Sequence, residues 1–453
     1  MNPKTNPASF RDPAGFIFEH ENRILRHINA TFKNDYDHLM GSGLYRALVQ
    51  ENLLVEHEES ELDQKRFSTA YKIIAPKRIP FISYPYEWCF SQWVAAAHLT
   101  LRVQKLALKH GMTLKDASAF NVQFEGKNPI FIDTLSLERQ EPNRPWVAYR
   151  QFCEHFLAPL ALMSLVDSEL SKLSVSYPEG IPISLASHLL GPRGKLKIGT
   201  LLHLHWHSKV ASAKKHSKKP TSRSMSDPEA FIDHLDNVIS SLKPKRHQGK
   251  WLNYEKTHQY TDTGLTAKMD WVRDRLDHIN PRTVWDIGAN RGTYSKIAAE
   301  LGAYVLSMDF EEAVVDANFH SISKQHQARI LTLVMNASSP SPSLGWASQE
   351  RMSLTQRGPA DAIMALALAH HLRIQHHISF AMMAEWFSGL SANLIIEFVP
   401  KTDPQVLEMT SQRQDIWPDY TQDHFEQSFQ KYFSVVTAVT LPNTNRRLYH
   451  FKR

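Results

Sequence analysis

Residues 283–318, TVWDIGANRGTYSKIAAELGAYVLSMDFEEAVVDAN, constrain the fold more than any other stretch of this chain. An apolar run at 283–285 leads into Asp286, then a turn holding Gly288 and Gly292, then apolar residues at helical spacing. A second apolar run at 304–308 ends on Asp309. Strand, glycine turn, helix and strand, with an acid about 20 positions past the turn, form the layout of a site for a ribose-bearing nucleotide. Any doubly wound domain can carry glycine in its first turn, so the ligand has to be read from the acids.

A dinucleotide turn reads G-x-G-x-x-G, and its middle glycine lets the backbone touch a pyrophosphate. Here Asn290 stands where that second glycine would fall, and Asp286 sits at the strand tip. A carboxylate there repels a pyrophosphate and attracts a cationic amino group. S-adenosylmethionine satisfies both conditions: it carries an ammonium, a sulfonium and a ribose, and no phosphate. The glycines still let the backbone approach its methionine portion.

The chain beyond this unit keeps an α/β rhythm. Apolar runs at 330–335 (ILTLVM), 360–367 (ADAIMALA) and 393–399 (NLIIEFV) read as further strands. The second of these is continuously apolar, as suits a parallel strand buried on both faces. Runs at 432–440 and 447–451, parted by LPNTN, read as a terminal strand pair. The expected fold class is α/β: a doubly wound, Rossmann-like sheet with helices on both faces and ligands outside the carboxyl ends of the strands.

This half resembles the class I S-adenosylmethionine-dependent methyltransferases. Across nearly its whole length the chain is similar to a bacterial group of nodulation-protein-related methyltransferases, through FRDPAGFIF, RIPFISYPYEW, LKDASAFNVQF, PIFIDTLSLE, VWDIGANRGTYS, ALAHHL and IIEFVPK. The resemblance implies a seven-stranded sheet whose last two strands form a hairpin. It also implies S-adenosyl-L-methionine as cofactor and methyl transfer as the reaction. By the same resemblance, Asp286, Gly288 and Gly292 cradle the methionine end, with Asn290 of that turn also cofactor-binding, and Asp309 accepts both ribose hydroxyls. A carboxylate suits that task because its two oxygens take two donors. Asn336 falls where the family often has an acid that recognises the adenine amino group; it reads equally as a turn residue.

Substrate-side chemistry is expected after the fourth strand, in Ala367-Leu368-Ala369-His370-His371-Leu372. The Asp-Pro-Pro-Tyr motif of many N-methyltransferases is absent. His370 and His371 stand instead, and a neutral imidazole can take a proton from a hydroxyl or an acidic NH near neutral pH. Adjacent side chains diverge, so one of the two is expected to face the acceptor, unless both only hold the loop or cap the next helix. Glu397, Lys401 and Asp403 lie on the same rim, as substrate contacts or as a surface ion-pair group.

Composition bounds the rest. The chain has 453 residues, enough for two or three domains. Its formal charge of +6 is matched by Lys209, Lys214, Lys215, Lys218, Lys219 and Arg223, which lie within 208–226 with no acid among them. That stretch reads as a linker between an accessory domain, 1–207, and a methyltransferase domain with a helical lead-in, 227–453. The remainder is near neutral, which argues against a nucleic-acid-binding face; the expected partner is a small-molecule or glycan-like substrate that the N-terminal half helps select. The apolar stretches at 156–166 and 362–369 are too short to span a membrane. Cys89 and Cys153 form no disulfide framework or zinc motif, and a reducing cytoplasm is the expected location. His203, His205 and His207 share one strand face, but no acid or thiol completes a metal set, so no metal is expected.

The α+β N-terminal half carries a second pattern. A helical stretch at 96–111 precedes Asp116, Asn121 and, after a hydrophobic strand, Asp133. Kinases use this order for a base and two metal ligands, and the spacing is similar to that of the aminoglycoside phosphotransferases. Leu114 stands where those families have histidine, no glycine-rich phosphate loop precedes it, and no lysine has a defensible ATP-pairing role, Lys72 in YKII being no more than a guess. A kinase-like fold and a plain substrate-binding accessory domain both fit. A second functional reading also follows: a regulatory protein that keeps its ligand pockets and has lost the chemistry.

Overall fold

A computed structural model of the chain describes residues 4–60, 70–142, 144–195, 227–245, 261–411 and 417–453. The basic 208–226 stretch and the triple-histidine cluster lie outside these residues. The chain divides into two compact units. The first comprises Met1–Phe124, Pro129–Arg246 and Ser343–Arg351; the second comprises Glu125–Asn128, His247–Pro342 and Met352–Arg453.

The first unit opens with an antiparallel sheet of β1 (Lys4–Thr5), β2 (Gly15–His20), β3 (Arg23–Asn29), β4 (His57–Glu59) and β5 (Ala70–Pro76), in the order β1-β2-β3-β5-β4. The helix Phe90–Lys109 follows, burying Trp93, Ala97, Leu101 and Gln104 along one face. Around its start, Trp88, Trp93, Phe124 and Phe156 meet in edge-on ring contacts. Then come β6 (Met112–Leu114), β7 (Val122–Glu125), β8 (Asn128–Phe131) and β9 (Leu137–Arg139), paired as β6-β9 and β7-β8, of which only Glu125–Asn128 at the β7-β8 turn fall to the second unit.

The helix Pro228–Ser241 corrects one expectation. It reads from sequence as the lead-in to the methyltransferase domain, yet it belongs to the first unit. Asp227 caps it, and its apolar residues Ile232, Leu235, Val238 and Ile239 are buried. Its acids pair with the Phe90–Lys109 helix: Lys105 Nζ lies 2.6 Å from Asp233, and His98 Nδ1 lies 2.6 Å from Asp236. A single amphipathic helix does not say in sequence which surface its apolar stripe will meet.

The second unit is built on seven strands: β10 (Thr283–Ile287), β11 (Tyr304–Asp309), β12 (Ile330–Val334), β13 (Ala360–Ala365), β14 (Ser391–Phe398), β15 (Ser434–Thr440) and β16 (Arg447–Lys452). Their order is β12-β11-β10-β13-β14-β16-β15. The first five run parallel; β16 pairs antiparallel with both β14 and β15. All seven expected strands are present, with ends shifted by one or two residues. Helix Asp262–Ile279 leads in, capped by Thr261 and closed by Asn280 in the left-handed conformation. Helices Thr293–Glu300 and Glu312–Ser321 follow β10 and β11, and helices Ala369–Ile374 and Phe380–Leu390 lie between β13 and β14. Val284, Val305, Ala362, Met364 and Ile395 form the centre of one core layer with Val272 and Leu276 of the lead-in helix. Strand order reverses between β10 and β13, so the crevice for a ligand opens beside the tip of β10.

Candidate active site

The tip of β10 carries Asp286, which is 1 % exposed. The hydroxyl of Ser295, on the next helix, donates to Asp286 Oδ2 at 2.6 Å. Ser295 Oγ also lies 2.8 Å from Ser307 Oγ, which accepts from the Asn318 amide at 2.8 Å. Burial is the main influence on Asp286 and lifts its carboxyl to about 7. A buried acid held mainly by hydroxyl and amide dipoles favours the arrival of a cation.

The turn after Asp286 is left-handed at Gly288 (φ 81°), Asn290 (φ 49°) and Gly292 (φ 76°). At Gly292 a Cβ would also fall 2.6 Å from Asn318 Oδ1, so only glycine fits. Asn290 tolerates the left-handed region as few other side chains do. Its backbone N–H donates to Asp309 Oδ2 at 3.0 Å, while the Glu311 N–H donates to Oδ1 at 3.2 Å. Asp309 ends β11 and is buried, and burial raises its pKa. The two backbone donors fix its orientation and leave lone pairs on both oxygens. Asp286 and Asp309 therefore lie at the ends of the neighbouring strands β10 and β11, with Gly288, Asn290 and Gly292 in the turn after β10.

Asn336 follows β12 and is exposed; its side-chain oxygen accepts from the Ser338 N–H and hydroxyl at 2.9 and 2.8 Å. That is the turn role, with the amide NH₂ left as a donor. The two histidines are distinguished by environment. His370 is wholly buried, its imidazole pKa is pushed well down by burial, and neither ring nitrogen has a partner among the described residues. His371 is half-buried, and its Nδ1 lies 3.3 Å from Gln375 Oε1. The two rings sit 4.1 Å apart between centroids.

The Glu397–Asp403 rim is a buried charge network, in place of the surface group that sequence allowed. Lys268 Nζ lies 2.7 Å from Glu397 Oε2, with side chains 3 % and 0 % exposed. Arg446 grips Asp403 bidentately, at 2.7 and 3.0 Å. Lys268, Ser295, Asn318 and Arg446 are the site residues that sequence reasoning missed. Lys268 had a signal: it occupies the buried stripe Gly264, Lys268, Val272, Leu276, spaced four apart on the lead-in helix. Arg446 sits in a loop and had none.

Among the described residues, no group of three or more His, Cys, Asp or Glu is placed to hold a metal ion. No described helix is long and apolar enough to cross a membrane.

Five parallel strands, an antiparallel seventh inserted before the sixth, and an acid–glycine turn facing a second acid define a class I S-adenosylmethionine-dependent methyltransferase. No protein-family model matches the chain. It is 34 % identical over 456 residues to nodulation protein NoeA of Rhizobium meliloti (strain 1021), an alignment covering 98 % of this chain and 95 % of that protein, and it belongs to that family. Solved structures with partial likeness include magnesium protoporphyrin IX methyltransferase (ChlM) from Synechocystis PCC 6803 with bound SAH, at 19 % identity and a TM-score of 0.32, covering 43 % of this chain and 89 % of that one. The N-methyltransferase NodS from Bradyrhizobium japonicum WM9 matches at 10 % identity and a TM-score of 0.31, covering 42 % and 97 %. WbdD matches at 14 % identity and a TM-score of 0.32, covering 48 % and 46 %. Likenesses this slight carry no weight in the functional reading.

Proposed function

We propose that this protein transfers a methyl group from S-adenosylmethionine to a small-molecule or glycan-like acceptor, with His371 as the group that takes the acceptor's proton. The observation that carries this reading is the pair Asp286 and Asp309: two buried acids at adjacent strand tips, across a turn whose backbone is bare at both glycines. When bound, the cofactor supplies an electrophilic methyl on its sulfonium. Asp286 would hold the ammonium, and ionises more fully as that cation arrives. Asp309 would take the ribose hydroxyls, already aimed by the Asn290 and Glu311 N–H groups. The Asn336 amide is free to donate toward the adenine ring.

On the acceptor side, His371 is the accessible imidazole and His370 stands behind it. A neutral imidazole near the acceptor removes a proton as the methyl arrives and keeps cationic charge from building on the acceptor. The near-neutral folded parts support a small or glycan-like acceptor over a nucleic acid.

Calorimetric titration of S-adenosylmethionine into wild type and Asp309→Ala tests the cofactor half. Losing the charge-assisted bonds is expected to weaken binding by roughly 1.5–3 kcal/mol. Equal affinity in the two proteins would show that the ribose is bound elsewhere.

A further inference from the structure

The Asp116, Asn121, Asp133 order is not used by methyl transfer, and its surroundings in the first unit decide what it can do. In phosphoryl transfer the Asn and the second Asp must offer oxygens to a divalent cation. Here the Asp133 oxygens are taken. Arg26, on β3, places Nη1 2.5 Å from Asp133 Oδ1 and Nη2 2.9 Å from Asp12 Oδ2, and its side chain is only 10 % exposed. Asp133 Oδ1 also accepts the Leu135 N–H at 3.1 Å, and Oδ2 the Ser136 hydroxyl at 2.6 Å. The Asn121 amide donates to that same hydroxyl at 3.1 Å. Asp12 Oδ1 accepts the Ala14 N–H at 2.9 Å, with the Lys115 ammonium 3.9 Å away. Asp116 Oδ1 receives the Ser118 N–H at 2.9 Å and the Gln151 amide at 2.8 Å.

Asp12 and Asp133 therefore share one guanidinium, while Asp116 is held by neutral donors. A guanidinium bridging two carboxylates, held in a mostly buried position, satisfies both with its planar fork. A divalent ion would have to displace it and shed its own water, which Mg²⁺ does reluctantly.

We infer that Arg26 is a built-in cation standing between Asp12 and Asp133 in place of a divalent metal, so that the Asp116, Asn121 and Asp133 site does not activate a phosphate donor. The inference is independent of the methyltransferase reading.

Thermal melts of the full chain with MnCl₂, and separately with Mg²⁺ and ATP, test it. Wild type should show no shift with either. Arg26→Met removes the charge at similar length and should gain a saturable Mn²⁺-dependent rise of roughly 2–4 °C or more. Arg26→Met combined with Asp133→Asn should lose that gain. A folded Arg26→Met that gains nothing would overturn the inference. So would a saturable rise in wild type, with Mn²⁺ or with Mg²⁺ and ATP, that Asp133→Asn abolishes. Should Arg26→Met fail to fold, Arg26→Lys takes its place. That variant keeps a cation and should stay insensitive to Mn²⁺, and sensitivity would count against the inference.

Discussion

Asp286 is the residue whose protonation couples the site to pH. Its folded pKa of about 7 lies above the ordinary 3.8, so its contribution to stability is present below the ordinary value and is lost as pH rises through about 7. An arriving ammonium reverses the preference and expels the proton. Cofactor affinity should therefore rise with pH up to about 7 and then level off, and titration at about pH 6 in two buffers of different ionisation heat should show close to one proton released. An affinity flat between about pH 5 and pH 8 would mean that Asp286 is already ionised in the free protein. The histidine pair gives a second contrast. Under saturating cofactor, His371→Ala should lose roughly 10²–10⁴-fold in turnover with little change in cofactor affinity. His370→Ala should act mainly on thermal stability, because its ring fills buried space. Equal losses of turnover and stability at both positions would make the pair structural. At Gly292 an alanine meets both a forbidden φ and the Asn318 side chain, and should destabilise by roughly 1–3 kcal/mol, read by denaturant unfolding.

The lead-in helix Asp262–Ile279 shows what happens when an element carries one residue against its own pattern. Lys268 sits where an apolar residue would complete the stripe, and it is buried against Glu397 of β14. Replacing it with Met should destabilise by roughly 3–5 kcal/mol, because Glu397 is then left as a buried charge without that partner. The double variant Lys268→Met/Glu397→Gln should recover part of that loss in chemical denaturation. Elements of the second unit were legible because parallel strands buried on both faces announce themselves as continuous apolar runs: β10, β11, β12, β13 and β14 all fall where those runs do. The cofactor turn was legible because its conformation demands Gly or Asn at numbered positions. Partnership across long sequence distances was not. Nothing local shows that Arg446 will seat on Asp403, that the helix Pro228–Ser241 will join the first unit, or that Lys72 will pair with Glu59 of β4. The same limit applied to Asp133, whose motif is readable while its neutralisation by Arg26 is not.

At the scale of the whole molecule, two units with separate cores should not melt as one. Scanning calorimetry is expected to resolve two transitions, with S-adenosylmethionine raising only the one that belongs to the second unit. At a hundredfold excess over its dissociation constant, the cofactor stabilises by about 2.7 kcal/mol. A single transition that moves as a whole would show that the cores are thermodynamically one. The division has a further property: neither unit is a continuous stretch of chain, because Ser343–Arg351 returns to the first after roughly a hundred residues of the second. One of those nine residues, Glu350, keeps its carboxylate buried against the Arg11 guanidinium, 2.8 Å apart. On the ribosome, at about 5–20 residues per second, Arg11 therefore waits roughly 5–20 s after residue 246 is made before its partner can reach it. During that interval the first unit exists without its closing segment, and the glycine turn and the strands β10, β11 and β12 are synthesised before the earlier half of the protein is finished.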